Sequence, residues 1–156
     1  MDKWIFSLKL RNSAGVLAAL TALFADRGVS IESLSAQGGG TAGAVQGTAV
    51  LTFAASEARK SHLARLLERL ASVQEVTQFR YDDAGHARKS TLARVTLSAE
   101  ALRARLTPGI LCDVVSEISG QTLALLLGPP PALDALLAQL AAEDAMLEMD
   151  STVIVV

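Results

Sequence analysis

Few residues in this sequence are of types and spacings that do chemistry, and Asn12-Ser13-Ala14-Gly15 is the first group to weigh. The segment stands where an alternating apolar run gives way to a helical one. The first amides of a helix have no partner inside it, and the helix dipole adds partial positive charge there. The N–H groups of Gly15, Val16 and Leu17 are therefore expected to be open, a seat for a carboxylate. Gly15 has no Cβ, so a ligand can approach the backbone closely. The Asn12 carboxamide both donates and accepts, and its oxygen suits an ammonium proton. An α-amino acid carries both charges on one carbon and fits that pairing. Turn chemistry offers a second account, in which Asn12 or Ser13 caps the helix and Gly15 serves local packing.

Other chemical candidates are thin. His62 falls on the charged side of a helical pattern and His86 in a polar stretch, so both read as surface histidines. Asp82, Asp83 and His86 are explained by a polar linker, and nothing nearby would support a metal. Cys112 sits among Ile110, Leu111 and Val114 and reads as a buried, inert thiol. A single cysteine forms no internal disulfide, which suits a reducing compartment. No nucleophile elbow, phosphate loop or catalytic carboxylate pair is visible. The expectation is a non-enzyme with no catalytic residue, no metal and no cofactor.

The elements that must position Asn12 and Gly15 follow from periodicity. Trp4, Phe6, Leu8 and Leu10 alternate with Ile5, Ser7, Lys9 and Arg11, which predicts a half-buried strand. Val16, Leu20, Leu23 and Phe24 then line one face of a helix, closed by Gly28. Residues 29–36 and 47–55 read as strands joined by a glycine-rich hairpin connection. Ser56 reads as the cap of a second helix with Leu63, Leu66, Leu67 and Leu70 on one face. A strand over 73–81 ends that half.

The order strand, helix, strand, strand, helix, strand is the ferredoxin-like arrangement, an antiparallel sheet with both helices on one face. A similar order partly repeats, with strands over 91–98, 110–119 and 121–127. Leu133, Leu136, Leu137 and Leu140 repeat the leucine spacing of the second helix. Only residues 99–106 remain for the first helix of this half, with Pro108-Gly109 ending it. The fold class is therefore α+β, with two tandem ferredoxin-like βαββαβ domains. The first spans 1–83, a linker 84–90, and the second 91–156.

Composition narrows the partners. The chain has 156 residues, 51% hydrophobic and 19% charged, with a formal net charge of −2. That balance predicts a packed protein and gives no electrostatic reason to expect nucleic acid or an anionic membrane. The greasiest stretch, 122–142, is broken by three consecutive prolines, so no membrane span is expected. The N-terminus lacks a signal-peptide apolar core, which points to the cytoplasm. An RNA-binding surface on this strand order needs exposed aromatic rings. Thr48 and Val50 occupy those positions, and Phe53 is expected to face the core.

The run from Asn12 to Ala36 resembles an ACT domain, a small-molecule-sensing module. More narrowly it is similar to the N-terminal half of the acetolactate synthase small, or regulatory, subunit. Asn12-Ser13-Ala14-Gly15 matches that family's Asn-x-x-Gly turn. Residues 27–34, Arg-Gly-Val-Ser-Ile-Glu-Ser-Leu, match its second-strand segment. The resemblance implies side-by-side pairing into a homodimer, with an amino-acid effector, valine being the family's usual one, bound between protomers. Asn12, Gly15, Val16 and Leu17 would contact it from one chain, and Ser30 and Ile31 from the other. It also implies a catalytic enzyme subunit as a partner and an ACT-like second domain. Three departures stand out. Ser30 replaces the family's asparagine, Gly47-Thr48-Ala49-Val50 replaces a Ser-Arg-Met-Thr run, and an Arg-Thr/Ser-Gly run near the last strand is missing.

Overall fold

The computed structural model describes residues 1–38, 46–83 and 85–155. They form two compact units, Met1–Asp83 and Ala84–Ile154. The glycine-rich connection expected between the second and third strands lies outside the described residues.

In the N-terminal unit the elements are β1 (Asp2–Arg11), α1 (Val16–Asp26), β2 (Ile31–Gly38), β3 (Gln46–Ala55), α2 (Glu57–Leu67) and β4 (Val73–Arg80). The sheet order is β2-β3-β1-β4, so β2 and β4 are the edges. β1 runs antiparallel to both β3 and β4, with Phe6 opposite Leu51 and Leu10 opposite Gly47. The alternation in β1 is realised: Trp4, Phe6, Leu8 and Leu10 are buried together with Leu20 and Phe24 of α1 and Leu63 and Leu67 of α2. One sheet face therefore carries both helices. Phe53 is at its centre, edge-on to Phe6 at 4.8 Å and to Phe24 at 5.1 Å. Ile5 departs from the expected alternation. It is on the other face of β1 and is also fully buried.

Capping residues set the helix ends. The Ser56 side chain accepts a hydrogen bond from the Arg59 N–H and starts α2. Gly28, at φ +61, closes α1, where Val29 N–H returns to the Phe24 carbonyl at 3.0 Å.

The C-terminal unit repeats the plan as β5 (Ala87–Val95), α3 (Ala99–Arg103), β6 (Leu111–Ile118), β7 (Gln121–Gly128), α4 (Pro130–Ala142) and β8 (Met146–Val155). Its sheet order, β6-β7-β5-β8, matches the first. α3 has five residues, the short helix expected there. α4 begins at Pro130, where a missing N–H does no harm, and buries Leu133, Leu136, Leu137 and Leu140. The strand expected over 91–98 begins earlier, at Ala87. Lys89 and Ser90, expected in a linker, instead pair with Gly128 and Leu127. The polar run hid this strand. Lys89 is satisfied by Asp134 on α4 at 2.6 Å, which lets a charged residue sit at a largely buried position.

Candidate functional site

The junction of β1 and α1 is built by a turn. Gly15 adopts φ +82, ψ −4, the values of the third residue of a type II turn, and the Val16 N–H closes that turn on the Ser13 carbonyl at 3.3 Å. An L side chain is strained at that φ, which explains the glycine. No side chain caps α1, so the account in which Asn12 or Ser13 does so is excluded. The first helical bond is from Ala19 N–H to the Gly15 carbonyl. Between these two bonds, the amides of Leu17 and Ala18 have no acceptor among the described residues. Val16 therefore corrects the expectation: its amide is engaged, while Ala18, not expected there, joins Leu17 in leaving its amide open.

Leu17 and Ala18 line a groove of about 390 Å³. β1 contributes Leu10, the turn contributes Asn12, Ser13 and residues 15–18, and the ends of β2 and β3 contribute residues 36–38, Gly47 and Thr48. Of the six residues expected at the site, Asn12, Gly15, Val16 and Leu17 line this groove. Ser30 and Ile31 do not. They line a separate depression with Thr21, Phe24, Ala25, Gly28 and Val29. Within one chain the two sets belong to different surfaces.

Sequence spacing missed the far wall, which is formed by strand register. Gly38 pairs with Gly47, and Gly47 with Leu10. A Cβ on Gly47 would lie 2.8 Å from the Gln37 carbonyl oxygen, so only glycine lets the backbones approach there. A Cβ on Gly38 would lie 3.3 Å from Asn12 Nδ2. The pair of glycines in one register was the available signal, hidden by reading the region as a flexible connection.

The groove's chemistry is that of a neutral, half-apolar cradle. Leu10, Val16, Leu17 and Ala36 give it apolar walls, and Asn12, Ser13, Gln37 and Thr48 give polar groups. None of its described lining residues titrates near neutrality. Two free amides lie at the positive end of an eleven-residue helix, where negative charge is favoured.

The corresponding helix of the second unit differs. Ser98 Oγ accepts from Ala101 N–H at 3.2 Å, and Glu117 Oε2 from Ala99 N–H at 3.2 Å. The start of α3 is closed by side chains of its own unit, Ser98 before it and Glu117 on β6.

The remaining candidates take no part. His62 and His86 are exposed. Cys112 is half-buried rather than buried, and burial pushes its thiol pKa up, away from the reactive thiolate. Among the described residues, no group of three or more His, Cys, Asp or Glu is placed to hold a metal ion. Nor is any helix among them long and apolar enough to cross a membrane.

Two such units, the first with an open turn and helix start, define an ACT-type architecture. Residues 6–78 match the family model described as an AHAS small subunit-like ACT domain. The chain resembles the acetolactate synthase small subunit, and its N-terminal unit carries the match to that ACT domain. The crystal structure of that small subunit from Thermotoga maritima superposes with a TM-score of 0.74 at 16% identity, covering 100% of this chain and 97% of that one. The ligand-free regulatory subunit of aspartate kinase from Thermus thermophilus gives a TM-score of 0.48 at 16% identity, covering 88% and 89%. No curated protein matches the chain in sequence.

Proposed function

We propose that the chain is a non-catalytic regulatory protein that senses a small, uncharged amino acid, with branched-chain members the first candidates. The carrying observation is the open pair of amides at Leu17 and Ala18, set in a groove that the Asn12 carboxamide also lines. The ligand's carboxylate takes the amides, its ammonium group the Asn12 oxygen, and its side chain the wall of Val16, Leu17 and Leu10. The match of residues 6–78 to the AHAS small subunit-like ACT domain spans every described residue of the groove and supports this reading.

The reading includes a second copy. β2 is an edge strand with Leu34 exposed, and an unpaired edge invites a partner strand. In this arrangement Ser30 and Ile31 reach the ligand from the other protomer. The likeness to a small subunit favours a catalytic enzyme subunit, of the acetolactate synthase type, as the regulated partner, within the cytoplasm.

Thermal-shift measurements of the full chain against each of the twenty L-amino acids test the proposal. A rise in Tm is expected with L-valine or another branched-chain member. It should be lost in Gly15→Asp, which places a carboxylate at the anion seat, and kept in Gly15→Asn, since asparagine tolerates the left-handed conformation. A flat response across all twenty would sink the sensor and leave a dimerisation module without a ligand.

A further inference from the structure

We propose that Gly38 is a positioning residue for the groove, its missing side chain leaving the space in which the Asn12 carboxamide receives a ligand's ammonium group. This deepens the sensor reading and rests on it. The argument begins with the space a side chain would need. A Cβ at Gly38 would stand 3.3 Å from Asn12 Nδ2 and 3.9 Å from its Cγ, and no other atom would lie within 4 Å. The carboxamide therefore lies against the end of β2 with its nitrogen edge inward. Its oxygen would lie more than 4 Å from that Cβ, and in the proposed arrangement it accepts the ligand's ammonium proton.

Gly38 is not held as glycine by its backbone. The described glycines at positive φ are Gly15, Gly28, Gly109 and Gly120, and Gly38 is not among them. Its partner Gly47 is different, since a side chain there meets the carbonyl of Gln37 at 2.8 Å and must move the strand. At Gly38 the only atoms in the way belong to the far end of one polar side chain. Gly38→Ala thus displaces the carboxamide by a few tenths of an ångström and leaves the sheet intact. It is a clean probe of position, whereas Gly47→Ala is not.

Asn12 is the only asparagine in the sequence, so the carboxamide can be watched alone. Full-length protein labelled with [15N]asparagine should show one side-chain NH2 pair, shifted in Gly38→Ala without any ligand present. In calorimetric titration with L-valine, Gly38→Ala and Asn12→Ala should each weaken binding about tenfold, the effect of losing one hydrogen bond to a charged group. The double variant should bind no more weakly than Asn12→Ala, because both changes remove the same contact. Unchanged NH2 signals in Gly38→Ala, or losses that add in the double variant, overturn the assignment. If the wild-type chain binds neither L-valine nor any other L-amino acid, the sensor reading fails, and the NH2 signals alone then decide whether Gly38 positions Asn12.

Discussion

Glu117 reaches from β6 to the first amide of α3, with its Oε2 3.2 Å from the Ala99 nitrogen. The C-terminal unit thereby carries a carboxylate of its own at the helix start, where α1 of the N-terminal unit has no side-chain cap. The two repeats share a strand order and differ at this point of chemistry. Removing the carboxylate with Glu117→Ala should destabilise the C-terminal unit by about 1–2 kcal/mol, the usual cost of a lost helix cap bond. Urea unfolding followed by circular dichroism measures this. The same closure predicts one amino acid bound per chain rather than two, which calorimetric stoichiometry reads directly.

At Gly15 the backbone sets the requirement, since a Cβ there would meet nothing within 4 Å. Gly15→Ala should therefore cost about 1 kcal/mol through its left-handed φ, with no clash. Gly15→Asn should cost less. Equilibrium denaturation of the two variants beside wild type tests the order, and equal stability of all three would contradict the turn assignment.

Phe53 is fully buried between two edge-on rings. Phe53→Ala should destabilise the N-terminal unit by about 3–5 kcal/mol, combining lost burial with the cavity left behind. A calorimetric scan should show the loss. A cost below 1 kcal/mol would mean that the helices are not seated on this sheet as described.

Two surface carboxylates give the acid limb of stability. A hydrogen bond and the charge of Lys9 hold Glu75 below its ordinary pKa, and hydrogen bonds from Gln139 and Arg105 do the same for Glu143. A pKa lower in the folded chain means that the stabilisation is complete above the unfolded value, about 4.3. It is lost as pH falls through the lower folded values. Tm should be flat from about pH 5.5 to 7.5 and decline below about pH 4. The part due to these exposed pairs should shrink in high salt.

The raised thiol of Cys112 predicts slow chemistry. At neutral pH iodoacetamide should alkylate the folded protein more slowly than glutathione and the urea-unfolded chain at an ordinary rate. Mass spectrometry over time decides it.

Much of this fold could be read from residue order, because the governing interactions were local. The alternation from Trp4 to Leu10, the helical face ending at Gly28 and the cap at Ser56 each depend on near neighbours. What escaped depended on distant partners. Residues 87–90 looked like linker because their charge is answered by Asp134, 45 positions beyond Lys89. Gln37, Gly38, Gly47 and Thr48 reach the groove through strand register, which residue spacing around Asn12 does not encode. The engaged amide of Val16 followed from a turn type that the four residues Asn-Ser-Ala-Gly permit without requiring.

Among its described lining residues the groove has no ionisable side chain, which has a physiological consequence. An amino acid keeps its paired charges from about pH 5 to 7, and the described side chains around it stay uncharged throughout. Occupancy should then track metabolite abundance while the acidity of the surroundings drifts. A sensor of the proposed kind would report supply and stay deaf to protons.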